Sequence, residues 1–448
     1  MFLGACTAET SSPAVADHFE VVGGAGQTGT FGRALDSALV VRVVDDRGAP
    51  MVGKRLTWTV TAGGGTIEAA SAETGVDGIA QARWRLGTLI GTQAVQVRGD
   101  GLPTLQVTAD VDGLRASAVA VAGDAACALD PDGHPWCWGG HYWYQYAPNA
   151  TYGDVPVRID SVHAFTSITA GIDHFCALTG TGEAWCWGAG DRGELGMGAQ
   201  QTVTIVPTQV AGGHAFTSIT ASWYTTCALD PAGQAWCWGT PGDGSLGTGS
   251  ASVLSPAPVQ QGTTAFASIA MGYEHICALE SNGQAWCWGH QDVGQLGDSL
   301  GIGSPVPRQV AGPTRFRSIT AGDHFTCAIA LDGTTWCWGA PPIQPYRERP
   351  TPTMLATAGM SAVVGDYEFM VGLQAHRPLS AGLSWYVGAP EELGGGALTE
   401  MPGGLYGIRQ IALRWATICM VRSDDVVFCA GEVPGHGSTA EPVAIPAP

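Results

Sequence analysis

Hydrophobic and polar positions alternate in short segments along most of the chain, and turn-forming residues separate these segments. Alternation with a period of two is typical of half-buried β-strands, because successive side chains point to opposite faces of a strand. In one stretch the pattern predicts four strands, at residues 165–168, 174–178, 184–187 and 206–210. A glycine-rich turn at 193–196 follows the third of them. We therefore expect an all-β fold.

This four-strand unit recurs about every 50 residues, and pairs of cysteines with the spacing Cys-x9-Cys mark its copies. Five of the six pairs carry Trp-Cys-Trp-Gly at the second cysteine. A degenerate copy lies between the fifth and sixth pairs, with Met370 and Tyr386 in place of the cysteines. The pairs are Cys127–Cys137, Cys176–Cys186, Cys227–Cys237, Cys277–Cys287, Cys327–Cys337 and Cys419–Cys429. Seven repeats of this length predict a seven-bladed β-propeller.

A tight hairpin separates the two cysteines of each pair. Asp130-Pro131-Asp132-Gly133 is typical of a type I turn with glycine in the left-handed position, and Asp425 takes the glycine place in the last repeat. Pairing Asp130 with His134 sets the two cysteines opposite each other, with α-carbons about 4.5 Å apart, a distance that a disulfide tolerates. Zinc is the alternative, but it favours closer pairs such as Cys-x2-Cys, which the chain lacks. We expect six disulfide bonds inside the blades.

The two tryptophans of each Trp-Cys-Trp share one face of their strand, with the cysteine on the other. We expect them to pack against a neighbouring blade. A cofactor cage or a light sensor is the alternative, but repetition in successive blades favours a structural role. Two glycine-rich segments match the spacing of a dinucleotide-binding motif. They coincide with the glycine turn of the repeat, however, and neither begins a helix. We expect no cofactor and no metal.

The repeat contains four sequence motifs, in this order: Ile-x-Ala-Gly, His-x-Cys-Ala-Leu, Gly-x-Ala-Trp-Cys-Trp-Gly and Gly-x-Leu-Gly-x-Gly. They resemble the regulator-of-chromosome-condensation repeat, in a cysteine-bearing bacterial form. The resemblance covers residues 113–448 and implies a propeller. Members of that family include an exchange factor for a small GTPase, a plant ultraviolet-B photoreceptor and a bacterial β-lactamase inhibitor. The property they share is a ring that binds another protein.

Residues 19–112 contain no cysteine, and their sequence pattern differs from that of the repeats. Strands are predicted at 39–43, 56–60, 80–84 and 93–97. The phrases Val-x-Asp-x-x-Gly-x-Pro-x-x-Gly, from Val43, and Thr-Gly-Val-Asp-Gly-Ile-Ala, from Thr74, resemble bacterial Ig-like domains of the invasin type. The resemblance implies a β-sandwich that serves as a stalk.

Residues 1–18 are expected to hold a lipobox remnant and a tether. Leu3-Gly4-Ala5-Cys6 resembles a bacterial lipobox, in which the cysteine is acylated, and Cys6 is the one cysteine outside the pairs. Basic and apolar regions of a signal peptide do not precede it, so we expect the chain to start late. Six disulfides imply an oxidising compartment, either the periplasm or the cell surface.

The composition excludes several classes of function. The net charge is −19, from 39 acidic and 20 basic residues, which makes a nucleic-acid partner unexpected because phosphate binding needs clustered Lys and Arg. Lys54 is the only lysine, so lysine-based catalysis in the propeller is excluded. The pairs Asp173-His174, Glu274-His275 and Asp323-His324 suggest acid–base chemistry. We interpret them as equivalent positions with a repeated hydrogen-bonding role, and we expect no enzyme.

Segments that break the repeat indicate where a partner binds. After Trp-Cys-Trp-Gly, the first and fifth repeats replace the glycine turn by irregular segments rich in Tyr, Trp and Arg, the residue types of binding hot spots. The alternative is sequence drift at a relaxed seam. The candidate protein-binding residues are Tyr142, Trp143, Tyr144, Tyr146, Tyr346, Arg347 and Arg349.

We therefore expect a lipid-anchored, extracytoplasmic and monomeric scaffold that binds another protein and touches the membrane only through Cys6. A hydrolase or lyase with its site in the central channel is one alternative. It would need titratable residues from irregular blades to converge on the axis, and the sequence shows only repeated ones. A secreted enzyme inhibitor is the other alternative.

Overall fold

The structure is a computed structural model of the 448-residue chain. It describes residues 15–29, 33–87, 91–139, 156–198, 203–240, 255–261, 263–341, 348–356, 360–366, 370–374, 384–386, 398–400, 407–414, 417–433 and 437–445. All regular elements in these residues are β-strands. No helix among them is long and apolar enough to cross a membrane. The chain divides into two compact units, Met1–Gly113 and Leu114–Pro446.

The first unit contains two four-stranded sheets, ordered β1-β3-β6-β5 and β2-β8-β7-β4. Their strands are β1 (Ala16–Gly23), β2 (Thr28–Gly29), β3 (Leu39–Asp45), β4 (Leu56–Ala62), β5 (Thr66–Ala70), β6 (Ile79–Arg85), β7 (Gly91–Gly99) and β8 (Leu105–Val111). All the strand pairs are antiparallel except β2 with β8. β1 begins at Ala16, inside the segment that the sequence assigned to a tether.

Side chains from both sheets share one apolar core. Val41 on β3, Trp84 on β6 and Val95 on β7 are each fully buried in it. β3 and β6 show the expected alternation, with inward apolar residues between more exposed ones. This alternation explains why these two strands were predictable from the sequence.

In the second unit, each of the first five repeats and the last repeat form a four-stranded antiparallel sheet in chain order. The strands of the first three repeats are β9 (Ala118–Val121), β10 (Ala125–Leu129), β11 (Pro135–Gly139), β12 (Val157–Arg158), β13 (Phe165–Ala170), β14 (His174–Thr179), β15 (Ala184–Ala189), β16 (Val203–Gln209), β17 (Ser218–Ser222), β18 (Thr225–Leu229), β19 (Ala235–Gly239) and β20 (Ser255–Gln261). Those of the fourth, fifth and last repeats are β21 (Ser268–Met271), β22 (His275–Leu279), β23 (Ala285–Gly289), β24 (Ser304–Gln309), β25 (Phe316–Ala321), β26 (Phe325–Ala330), β27 (Thr335–Gly339), β28 (Arg349–Ala356), β33 (Ile408–Arg414), β34 (Thr417–Arg422), β35 (Val427–Val433) and β36 (Gly437–Ala444).

The sixth repeat, which lacks the cysteines, departs from this pattern. Its described strands form two sheets of two strands each. They are β29 (Met360–Gly365) with β30 (Met370–Gln374), and β31 (Ser384–Tyr386) with β32 (Leu398–Glu400).

The hairpin register agrees with the sequence prediction. Cys127 pairs with Cys137, and the amide of Asp130 donates to the carbonyl of His134 at 2.9 Å. All six cysteine pairs are joined by disulfide bonds, each with α-carbons 4.1 Å apart. Asp425 adopts the left-handed backbone conformation expected for the glycine place, with φ of 69°.

The second tryptophan of each Trp-Cys-Trp packs against the disulfide of the preceding repeat. Trp187 shares an apolar cluster with Cys127 and Cys137, and Trp238 shares one with the next disulfide. Trp138 of the first repeat lies in a cluster with Cys419 and Cys429 of the last. The tryptophans are therefore core residues between sheets, and the disulfide supplies the surface on which each indole packs.

The first strands of successive repeats lie side by side, from β9 through β13, β17, β21, β25 and β29 to β33, and β33 also lies beside β9. The first and last repeats are joined further by hydrogen bonds. The amide of Leu114 donates to Ile445 at 2.7 Å, and the amide of Val427 donates to Leu114 at 2.9 Å. Together these seven strands surround a cavity of about 310 Å³.

Candidate functional site

The cavity is lined by the seven first strands and by the turns that follow several of them. Most of the lining residues are small or aliphatic. Arg414, Asp323 and Asp366 are the charged residues among those that line it. Each comes from a different repeat, at the end of the first strand or in the turn after it. We call these three residues the charged triad.

A spacing rule in the repeat explains how an arginine reaches this place. A Cβ atom on Gly171 would lie 2.1 Å from Cε1 of His174, so a histidine three positions later requires glycine here. Gly272 and His275 show the same constraint, at 2.3 Å. In the last repeat Thr417 replaces the histidine and Arg414 replaces the glycine. The smaller threonine leaves room for the arginine side chain.

The triad is buried and electrostatically coupled. Arg414 Nη1 lies 3.8 Å from Asp366 Oδ1, and the two side chains are 7% and 3% exposed. Burial raises the pKa of Asp323 to about 7, and the nearby carboxyl of Asp366, which is hydrogen-bonded to it, acts in the same direction. Asp323 is therefore partly protonated near neutral pH.

Aromatic side chains from neighbouring turns lie close to Asp323, next in sequence to residues that line the cavity. The indole Nε1 of Trp223 lies 3.5 Å from Asp323 Oδ1. The ring of Tyr273 meets Trp223 edge-on, with centroids 4.5 Å apart, and Tyr273 also contacts His324 at 6.1 Å. Tyr224 lies 6.0 Å from Trp223. These rings are half-buried and therefore present part of their surface to solvent.

An arginine from the loop after a third strand completes this group. Arg192 is exposed, and its guanidinium carbon lies 3.8 Å from the centre of the Tyr224 ring. We call Arg192, Trp223, Tyr224, Tyr273 and His324 the mouth cluster. Trp223 has a positive φ of 42°, which is costly for a bulky residue. The surrounding contacts hold it in that conformation and fix the indole against Asp323.

The three acid–histidine pairs are not equivalent, and the sequence interpretation is wrong for one of them. His174 Nε2 bonds Thr226 Oγ1 at 2.8 Å, and His275 Nε2 bonds Thr326 Oγ1 at 2.9 Å. These two histidines do share a structural role, and burial lowers the pKa of each to about 3. Counting back from the cysteine, however, Phe325 occupies the histidine place in the fifth repeat. Asp323 and His324 are therefore shifted by one position and face the mouth.

A further buried acid lies in the glycine turn of the second repeat. Burial raises the pKa of Glu194 to about 7. Its Oε2 accepts a hydrogen bond from the amide of Arg192 at 2.8 Å, and its carbonyl accepts one from Trp238 Nε1 at 2.9 Å. Gln295 holds the corresponding turn of the fourth repeat by bonding the amides of Asp292 and Val293. We therefore assign Glu194 to the turn that supports Arg192.

Asp130, Asp132 and His134 bring three possible metal ligands within 4.8 Å of one another. The oxygens of Asp130 are already used, because they accept from the amides of Asp132 and His134 and from Trp136 Nε1 at 3.0 Å. Asp230 makes the same three bonds in a hairpin that has no histidine. The Asp130 side chain therefore stabilises the turn and fixes the side chain of Trp136.

Replacement of Asp230 by alanine is expected to lower the free energy of unfolding by about 1–3 kcal/mol, since three hydrogen bonds to one carboxylate are lost. Asp230→Asn keeps an acceptor oxygen for the two amides and is expected to lose less. Urea unfolding of both variants measures the difference. Equal losses, or none, would show that the carboxylate does not hold the turn.

Six of the seven predicted partner-binding residues lie outside the described residues: Tyr142, Trp143, Tyr144, Tyr146, Tyr346 and Arg347. Arg349 is described and half-buried. Its backbone pairs with Gly339, next to the turn that carries His324. Arg349 thus lies at the same end of its sheet as the mouth cluster. Cys6 also lies outside the described residues.

Sequence reasoning missed Asp366, Arg414 and, apart from His324, the mouth cluster, and the expectation that only repeated titratable residues occur is wrong. The signal in the sequence that was missed is one position of the regular repeat at which the chemical class of the residue changes from repeat to repeat. Four residues before the cysteine, or its substitute in the sixth repeat, the chain has Ile172, Trp223, Tyr273, Asp323 and Asp366 in successive repeats. Packing constrains the residue type at the neighbouring positions. At this position the residue type can vary, so the side chain can take part in function.

Comparison with known proteins agrees with the repeat pattern. A model of the regulator of chromosome condensation (RCC1) repeat matches residues 181–229 and 282–329, and a second model of that repeat matches 165–194 and 266–295. Among solved structures, human WBSCR16 has a TM-score of 0.52 at 16% identity, covering 70% of this chain and 96% of that one. No curated protein sequence matches the chain.

Two further structures match with lower TM-scores. Prp20p from Saccharomyces cerevisiae is 19% identical, with a TM-score of 0.48, covering 73% of this chain and 75% of that one. The CRINKLY WD40 ectodomain of the Arabidopsis thaliana receptor kinase ACR4 is also 19% identical, with a TM-score of 0.48, covering 75% and 100%. The repeat models and the similarity to WBSCR16 support an RCC1-like β-propeller.

Proposed function

We propose that this chain is an extracytoplasmic binding protein whose head engages another protein through the mouth cluster. The head is a closed seven-bladed propeller formed by residues 113–448. The contacts of β33 with β9, and of Trp138 with the last disulfide, support this closure. RCC1-like propellers commonly mediate protein binding, which favours a binding role over catalysis.

The observation that carries the proposal is the composition and placement of the mouth cluster. Trp, Tyr and Arg dominate binding hot spots because they offer large contact areas together with polar groups. Here Trp223, Tyr224, Tyr273 and Arg192 come from three repeats and contact one another beside Asp323, which lines the cavity. In the proposal, Arg349 extends this surface at the same end of its sheet.

We also propose a location outside the cytoplasm for this chain. Six buried disulfides favour an oxidising compartment such as the periplasm or the cell surface. In the proposal, Cys6 carries a lipid anchor and residues 19–112 form an Ig-like stalk. The two sheets around one core in the first unit support the stalk. We propose a monomeric head, displayed away from the membrane.

The carboxyl pair favours a hydrolase with its site in the cavity as a second candidate. A carboxylic acid with a pKa near 7 can donate a proton at neutral pH. A hydrolase predicts turnover that Asp366→Asn abolishes, whereas a binding protein predicts a stable complex without turnover. An enzyme inhibitor would form a stable one-to-one complex with a hydrolase, and the capture experiment below identifies that outcome by the nature of the partner.

Affinity capture tests the protein-binding proposal. The oxidised chain is immobilised and offered envelope and secreted proteins, and the bound species are identified by mass spectrometry. Replacing Tyr224 and Arg192 together by alanine is expected to weaken binding of the dominant partner at least about tenfold, because a hot-spot residue contributes about 2 kcal/mol or more.

Leu331→Ala is the matched control for this experiment. Leu331 is 66% exposed and lies in the hairpin between β26 and β27, at the opposite end of β26 from the mouth. The control is expected to bind as the wild type does. Unchanged binding in the Tyr224/Arg192 variant, or equal loss in the control, would remove the mouth cluster from the interface.

A further inference from the structure

The cavity holds hydrogen-bond donors that have no partner among the described residues. Arg414 is 6% exposed, and its Nε and Nη2 atoms are buried without an acceptor in the part of the chain that the structure describes. Its Nη1 is used, because it donates to Ser222 Oγ at 3.4 Å and lies near Asp366. A buried guanidinium without acceptors is costly. Acceptor oxygens of a molecule bound in the cavity would satisfy these donors.

The same cavity holds acceptors next to these donors. Asp323 and Asp366 line it, and each carboxyl group has two oxygens with several lone pairs. A molecule near the triad thus meets donors on one side and acceptors on the other. Hydroxyl groups satisfy both, since each can donate one hydrogen bond and accept others.

The charge of the site limits the class of molecule further. The charged residues among those that line the cavity are one arginine and two aspartates. Arg414 lies beside the carboxyl group of Asp366 and balances its charge, and Asp323 is partly protonated near neutral pH. The carboxylate would repel an anion, and the guanidinium would repel a cation. A neutral molecule avoids both conflicts.

The size of the cavity fits a small molecule. Its volume of about 310 Å³ lies at the lower end of the range for small-molecule sites, about 300–1,000 Å³. We propose that the cavity binds a neutral polyhydroxy compound of monosaccharide size, with Arg414 donating to its oxygens and Asp323 and Asp366 accepting from its hydroxyl groups. This proposal does not rest on the protein partner proposed above.

Isothermal titration of the oxidised full chain tests the proposal. The neutral probes are D-glucose, N-acetyl-D-glucosamine and myo-inositol, and the charged probes are choline and acetate. At least one neutral probe is expected to bind the wild type, and neither charged probe is. Failure of all three neutral probes would overturn the proposal, and so would preferential binding of choline or acetate.

Variants locate the bound molecule. Arg414→Lys keeps the positive charge beside Asp366 but lacks the guanidinium donors, and is expected to weaken binding about tenfold or more. Ala221→Leu narrows the cavity from the third repeat without changing the triad, so it keeps the test decisive if the lysine variant fails to fold. Wild-type affinity in a folded form of either variant would contradict the site.

Two further variants separate this proposal from the protein-binding one. Leu331→Ala is expected to bind the neutral probe as the wild type does. The Tyr224/Arg192 double variant changes residues outside the cavity lining, so it too is expected to keep probe binding while losing the protein partner. Loss of probe binding in the Leu331 control would show that binding does not occur in the cavity.

Discussion

Reduction of the six disulfide bonds is expected to unfold the second unit under conditions in which the oxidised unit is stable. Each bond closes a short loop, with a sequence separation of 10 residues. The chain-entropy estimate is about 2–3 kcal/mol for each such bond. Six bonds then contribute about as much as the whole free energy of unfolding of a typical domain, about 5–15 kcal/mol.

The disulfides also form the surfaces on which the tryptophans pack, so their loss weakens the contact between repeats as well. Near-ultraviolet circular dichroism during heating, with and without a reducing agent, measures the effect. The first unit is an internal control, because residues 15–113 contain no cysteine. A single-bond variant, Cys327→Ala with Cys337→Ala, is expected to lose about 2–3 kcal/mol. Equal melting of the reduced and oxidised chains would contradict the expectation.

Replacement of Arg414 by methionine is expected to lower the free energy of unfolding by about 3–5 kcal/mol at pH 8, since it removes one partner of a buried ion pair. Asp366 is 3% exposed and would lose the arginine that lies beside its carboxyl group. Methionine retains much of the aliphatic volume, so loss of the charge is the main change. Urea unfolding measures the loss.

The pH dependence of that loss distinguishes charge from packing. An unfolded aspartate titrates near 3.8, whereas the pKa of Asp323 in the folded pair is raised to about 7. Well below pH 4 Asp323 is protonated in the folded and in the unfolded chain, so it adds no charge to the cost of the substitution. Arg414 lowers the pKa of Asp323 in the wild type, so Asp323 of the folded variant keeps its proton to higher pH, and the deficit of the variant grows as the pH rises through about 7. This sign follows because the folded variant binds more protons than the folded wild type in that range.

Asp366→Asn combined with Arg414→Met is the matched control, because it removes both charges together. The double variant is expected to recover much of the stability that the single variant loses above pH 7. It is also expected to show a weaker dependence on pH. A deficit in Arg414→Met that is the same at pH 4 and pH 8 would show that packing, not charge, sets the cost.

The sequence predicted local features of the second unit well, because short-range chemistry determines them. The turn at Asp130–Gly133 sets the pairing of its two strands, and that pairing places Cys127 opposite Cys137. The same logic placed Asp425 in a left-handed conformation, where φ is 69°. Each of these predictions depends on residues within about ten positions of one another.

The first unit was predicted less completely. β3 and β6 alternate between buried and exposed side chains, whereas β1 and β5 are exposed at most positions and carry no such signal. Edge strands of this kind are held by backbone pairing with a neighbour. The sequence of the strand alone therefore does not reveal them.

The mouth cluster and the charged triad were not predicted, because residues distant in sequence form them. Trp223 and Asp323 are 100 positions apart, and Arg414 bonds Ser222 across 192 positions. The repeat alignment does place them at nearly the same point of the unit. Reading Asp323 as part of an acid–histidine pair obscured this, since the shift of one residue became clear only from the place of Phe325.

Hydrogen–deuterium exchange on the complex with the captured partner tests the central claim, that the mouth cluster is the binding surface. The account predicts protection of the turns at 190–194, 222–224, 272–274 and 322–324, with no change in the hairpins at 130–134 and 230–234 on the opposite end of the sheets. Protection confined to those hairpins, or to the first unit, would contradict it.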